Sequence, residues 1–177
     1  MTGLRVPKGY NENMLYRERI LRASEQDEGM QKDLLTACSL SPIFWANTFA
    51  FTYRQWDVDP KTGKSVAARA NHVPFITWGI QDEFSDELHK AINNGHDLGV
   101  KKSRDMGASW MCILAFHHVW LFQSEAQLLE MSRTREYVDQ TGNQKALFQK
   151  HDYLNQWLPD WMRPPLCLPN EKYRSKM

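Results

Sequence analysis

An α/β fold is predicted for this 177-residue chain, and three observations predict it. A short strand over His96–Lys102 runs through a polar loop into a helix over Gly107–Gln123, and a second strand follows over Ala126–Arg133. Strand, helix and strand in that order form one βαβ unit, which closes right-handed with parallel strands. Turn residues at Asp59–Lys64, flanked by alternating sequence, predict a β-hairpin. Helical periodicity fills much of the remainder.

The elements follow in chain order. Residues 13–26 carry Leu15, Ile20 and Leu21 among charges, with Glu18 and Arg22 four apart as on a solvated helix face. A second short helix is expected over Gln31–Ser39, so residues 1–40 read as a helical lead and 41–177 as the main domain. Ser41–Pro42 is a helix start, with serine to cap and proline in the first turn. The hairpin comes next, and Lys61, Lys64 and Arg69 ride on or near its tip; a solvated loop is favoured there over DNA contact. Over Gln81–Gly95, Phe84, Leu88 and Ile92 share one face, Asp82 and Glu83 sit in the first turn, and Gly95 ends the helix. The helix over 107–123 is apolar almost all round and is expected to be buried on both faces. Residues 134–158 read as helical with a break at Thr141–Gly142, and the proline-broken stretch after them as irregular.

Composition excludes several classes. The hydrophobic fraction is 42%, the charged fraction 24% and the formal net charge +1, as in an ordinary globular protein without a strongly basic surface. Three scattered cysteines, Cys38, Cys112 and Cys167, fit neither a zinc spacing nor a disulfide framework, so a reducing interior is expected. The N-terminus lacks a secretory pattern, and the longest apolar run, Trp110–Phe122, is too short for a membrane span. His117 and His118 are adjacent, point about 100° apart on a helix and cannot both hold one metal; they read as core-edge residues.

The chemistry concentrates in "GVKKSRDMGASW", residues 99–110. A strand end, a glycine-containing polar loop and a helix start are the layout of a phosphate-binding loop. Gly107 permits close backbone approach. The amides of Ala108, Ser109 and Trp110 form a helix N-terminus that favours an anion, and Ser109 stands where a hydroxyl would hold Mg²⁺. Ala108 occupies the position at which such loops carry lysine. Lys101, Lys102 and Arg104 are the nearest cations, and alternation along a strand lets only one of the two lysines face the site.

With its flanks "PFITWGIQDEF" and "LLEMSRTREYVDQTG", this loop resembles the ATPase half of the large subunit of tailed-phage terminases, the DNA-packaging motors, over residues 40–165. Lys102, Ser103, Arg104, Gly107 and Ser109 match a variant of the family's loop in which the lysine moves to the start. The resemblance implies a P-loop NTPase-type parallel sheet and an ATP–Mg²⁺ site of Gln81, Lys102, Ser103, Arg104, Asp105, Met106, Gly107, Ala108, Ser109 and Trp110. In it Lys102 neutralises phosphate, Arg104 acts on the γ-phosphate and Ser109 ligates Mg²⁺. Gln81 reads adenine or simply begins a helix; Trp78 walls the base or joins the core. Ser132–Arg133 is the family's coupling motif or a solvated strand end. The implied partners are double-stranded DNA, the small terminase subunit, the portal protein and further copies in a homo-oligomeric ring, in the cytoplasm of a bacterial host. No apolar run after residue 133 ends in paired acids, so the acidic Walker B strand and the nuclease domain are absent. The chain is therefore expected to bind ATP and to hydrolyse it poorly or not at all. The other readings are a non-catalytic assembly module that docks small terminase or portal, and a helicase-like ATPase.

Overall fold

The computed structural model describes residues 5–54, 56–59, 61–67, 72–103 and 106–164. The fold is α/β and mostly helical, with two small antiparallel sheets. Helix α1 spans Tyr10–Ser24, α2 Glu28–Leu40 and α3 Pro42–Phe49. Asp27 caps α2 by accepting from the Met30 N–H at 2.9 Å. Ser41 caps α3 by accepting from the Phe44 N–H at 3.2 Å, with Pro42 in the first turn as the sequence predicts.

Strand β1 (Phe51–Tyr53) pairs with β4 (His72–Pro74), and β2 (Trp56–Val58) pairs with β3 (Ser65–Ala67). The β2–β3 hairpin turns where expected. Asp59 accepts from the Lys61 N–H and the Thr62 hydroxyl at 2.9 and 2.7 Å, and Gly63 takes the left-handed φ of 65°. These bonds hold the Asp59 carboxyl below its ordinary range. Lys61 and Lys64 are exposed at the tip, and Arg69 lies outside the described residues.

Helix α4 (Gly79–Asn94) stops at Gly95, whose φ of 65° allows its N–H to reach the Ala91 carbonyl. Helix α5 (Ala108–Phe122) packs against α3, α4 and α7, which explains its lack of a polar face. Helix α6 (Arg135–Val138) and α7 (Leu147–Trp157) flank the expected break, where Gly142 has a φ of 80°. The core joins Leu34 and Cys38 of α2, Phe44, Trp45 and Phe49 of α3, Met111, Ile113 and Leu114 of α5, and Leu154 of α7.

Two expectations are corrected. Residues 96–102 and 126–133 are not strands, and no parallel sheet forms among the described residues. A strand needs a neighbour's backbone to close its hydrogen bonds, and no strand among the described residues lies beside either segment. Their apolar side chains consequently face outward: Leu98, Val100, Leu128, Leu129 and Met131 are all exposed. On α1, Tyr16, Ile20 and Leu21 pack half-buried against the core, but the fully buried positions are polar. Leu15 is exposed, whereas Asn13, Arg17 and Ser24 are buried. The Glu18–Arg22 pair is solvated as predicted, at 2.7 Å.

His117 and His118 are interior rather than core-edge residues, at 0% and 4% exposure. Burial holds His117 well below the ordinary imidazole range and lowers His118 to about 4 from 6.5, so both are neutral at pH 7. The unfolded chain takes up these protons more readily, so stability falls as the pH drops from 6.5 toward 4. His118 alone is expected to account for about 3 kcal/mol at pH 4. Urea unfolding at neutral and acid pH checks this, and His118→Gln is expected to shrink the acid loss.

Candidate functional site

The loop is organised by one glycine and one glutamine. Gly107 precedes α5 in the left-handed region, at φ 75° and ψ 9°. There it turns the incoming chain, and its carbonyl accepts the first helical bond, from the Met111 N–H at 3.0 Å. A Cβ at Gly107 would lie 2.9 Å from Gln81 Nε2. That nitrogen donates to the Met106 carbonyl at 3.1 Å, and Gln81 Oε1 accepts from the Trp78 N–H at 3.1 Å. The second bond is half of a capping box at the start of α4. Gln81 is only 7% exposed. One amide side chain thus ties the first turn of α4 to the loop entering α5, across 25 residues of sequence.

The α4 corner is itself anchored. Lys8 Nζ reaches the Asp82 carboxylate at 3.1 Å, Asn47 Oδ1 at 3.3 Å and the Thr77 hydroxyl. Thr77 donates its hydroxyl to Asp82, and its N–H to Asn47 Oδ1 at 2.9 Å. Asn47 and Thr77 are buried, at 0% and 2% exposure, and every bond satisfies a group that would be costly to bury alone. Beside this network lies an open cleft of about 780 Å³, lined by Lys8, Tyr10, Arg54, Thr77, Trp78 and Asp82. Trp78 is 59% exposed on its rim, so it is not a core residue.

The ten predicted site residues divide into four sets. Gln81, Met106, Gly107 and the start of α5 at Ala108 are brought together. Ser109 is exposed in the first turn of α5, and Lys101, Lys102 and Ser103 are exposed on the approach to the loop. The Trp110 indole turns inward instead, edge-on to Tyr153 with ring centroids 6.5 Å apart. Arg104 and Asp105 lie outside the described residues. Outside this cluster, Ser132 and Arg133 are exposed, and the Arg133 guanidinium lies over the Tyr137 ring and donates to its hydroxyl at 2.7 Å.

The arrangement can receive an anion. The first N–H groups of a helix have no intrahelical acceptor, and α5 has no side-chain cap. A Mg²⁺ ion bound with a triphosphate takes most of its ligands from phosphate and water, so one exposed hydroxyl at Ser109 fits that role. Among the described residues no three His, Cys, Asp or Glu side chains gather as a metal site in their own right.

Sequence reasoning missed Lys8, Asn47 and Thr77. The available signal was Asn47 itself, a lone amide within the apolar run "IFWANTFAF", since a buried amide needs polar partners.

No family model, curated protein or solved structure matches this chain. No helix among the described residues is long and apolar enough to cross a membrane.

Proposed function

We propose that this chain holds ATP–Mg²⁺ as part of a terminase-type DNA-packaging ATPase. The observation that supports the reading is the bond from Gln81 to Met106. Two motifs of the resemblance, a glutamine and a phosphate loop, are separate in sequence, and here one touches the other. In this reading the α5 amides and Gly107 cradle the β-phosphate, Ser109 ligates Mg²⁺ and Lys102 supplies the missing loop cation. Gln81 spends one amide hydrogen and one oxygen lone pair on the protein. It keeps one of each for an adenine edge, while Trp78 borders the adjacent cleft. The γ-phosphate role of Arg104 rests on the resemblance alone.

The parallel P-loop sheet rests on the resemblance alone and belongs to the same proposal. Hydrolysis, the DNA, small-subunit and portal contacts, the homo-oligomeric ring and the host cytoplasm are likewise part of it.

Titration with a fluorescent ATP analogue tests the reading. The chain is expected to bind it saturably and only with Mg²⁺. Lys102→Ala is expected to weaken binding at least about tenfold, the loss of one cation–phosphate hydrogen bond, with the fold retained by circular dichroism. Unchanged affinity overturns the Lys102 assignment. An absence of saturable binding favours the docking-module reading, which the exposed Leu128, Leu129 and Met131 also support.

A further inference from the structure

Between residues 127 and 136 only one side chain turns inward, and it is an acid. Glu130 is 10% exposed, whereas Leu128, Leu129 and Met131 around it face solvent. Among the described residues, segment 124–133 has no backbone–backbone hydrogen bond to the rest of the chain. Its attachment therefore falls on the Glu130 carboxylate. Glu130 Oε1 lies 2.8 Å from His151 Nε2 on α7, and His151 Nδ1 lies 2.9 Å from His117 Nδ1 on α5. The His117 ring is fully buried and stacked on Trp45, with centroids 5.8 Å apart.

We propose that Glu130, His151 and His117 form a proton-operated latch, in which protonated His151 clasps segment 124–134 to α5 and α7 and loss of the proton releases it. The inference is independent of the nucleotide reading.

Charge pairing, rather than the number of bonds, argues for the charged state as the closed one: a neutral His151 with its proton on Nε2 makes the same two contacts but brings no cation to Glu130. A protonated His151 donates from both nitrogens, to Glu130 and to the neutral His117. Burial and the neighbouring His151 keep His117 from competing for the proton. When His151 is neutral, Glu130 becomes a buried carboxylate without a cation. Its second oxygen, Oε2, has no hydrogen-bond partner among the described residues, so leaving the site restores its hydration. Leu129 and Met131, at 77% and 80% exposure, bury little that would oppose this, and Leu128, at 38%, is the one apolar side chain of the three that stays largely covered.

The other groups around the cluster do not replace the imidazolium. Lys150 of α7 feels Glu130, but its ammonium is committed to the Lys145 and Ala146 carbonyls at 2.7 and 3.3 Å. Cys112 of α5 is a neutral thiol, raised by burial and by Glu130. His118, next to His117, is neutral at pH 7. Asp152 on α7 is exposed and is itself an acid, so it supplies no cation to Glu130.

The test is cleavage within residues 126–133 of the full chain by proteinase K at about pH 6 and about pH 8, the range in which imidazole changes charge. Each rate is divided by that of a free peptide of residues 124–135 at the same pH. The ratio is expected to rise about tenfold from the lower to the higher pH. In His151→Gln and Glu130→Gln it is expected to change less than about twofold. A wild-type ratio that does not change, or a His151→Gln ratio that changes as much as wild type, overturns the latch. Should the variants fail to fold, NMR titration of the unaltered chain decides. Amide shifts of residues 129–133 are expected to follow the His151 ring with one midpoint, and a different midpoint or no movement overturns the proposal.

Discussion

Arg17→Met is expected to lower stability by about 3–5 kcal/mol, through loss of a buried charge network. Arg17 is 2% exposed, and among the described residues no carboxylate pairs with it. Its donors go to four oxygens, two of which, the Ala46 and Ala50 carbonyls, also accept backbone N–H groups. Nε donates to Asn13 Oδ1 at 2.6 Å, Nη1 to the Ala50 carbonyl at 2.9 Å, and Nη2 to the Ala46 and Phe75 carbonyls at 3.3 and 3.2 Å. Ala46 and Ala50 stand at the C-terminal end of α3, where the helix dipole concentrates negative charge. The Phe51 ring lies 4.8 Å below the guanidinium. Burial lowers Arg17 to about 9, still well above neutrality, so the side chain is charged under ordinary conditions.

Methionine fills similar space but leaves the Asn13 and Phe75 oxygens buried without donors, at about 1–3 kcal/mol each. Thermal melting is expected to fall by about 6–20 °C, since a chain of this length loses about 2–4 °C per kcal/mol. Arg17→Lys is expected to fall between the two, because an ammonium has three donors and no planar fork. A loss below about 1 kcal/mol for Arg17→Met would show that these bonds carry little net stability.

Gly107→Ala is expected to have the largest effect on the loop. The left-handed backbone costs a non-glycine residue about 1–2 kcal/mol. The new methyl also meets Gln81 Nε2 at 2.9 Å. The Gln81 side chain can yield only by giving up its bond to Met106, so the loop and the α4 corner uncouple. Expected together are a stability loss of about 2–3 kcal/mol and a weakening of Mg²⁺-dependent ATP-analogue binding by more than about tenfold. Gly95→Ala is the control. It has the same left-handed backbone, at φ 65°, but nothing lies within 4 Å of its Cβ position, so it pays the backbone term alone. Equal losses at the two glycines would show that the Gln81 contact contributes nothing. A double variant with Gln81→Ala is expected to lose less than the sum of the single changes, because the two residues share one contact.

Local rules made part of this molecule legible in advance. Ser41–Pro42, Asp59–Lys64, Gly95 and Thr141–Gly142 are start, turn and stop signals whose physics spans a few residues, and each stands where the sequence predicts. The largely apolar helix over 107–123 is buried along most of its length, as its lack of a polar face predicts, with Ser109 and Trp120 exposed near its ends. Gln81 and Met106 were both named as site residues from sequence, but their bond was not, since it joins positions 25 residues apart.

What the sequence by itself determined is the punctuation of the chain and the glycine-bearing start of α5, because caps, turns and backbone handedness depend on near neighbours. Only the tertiary structure decided the rest. It turned Asn13 and Arg17 of α1 inward rather than Leu15, because there they donate to the Asn47 and Phe75 carbonyls of distant segments. It left 96–102 and 126–133 unpaired, because a strand exists only through its neighbour. It brought Glu130, His151 and His117 together from three separate parts of the chain, a meeting that no local pattern encodes because the contacts span 21 and 34 residues.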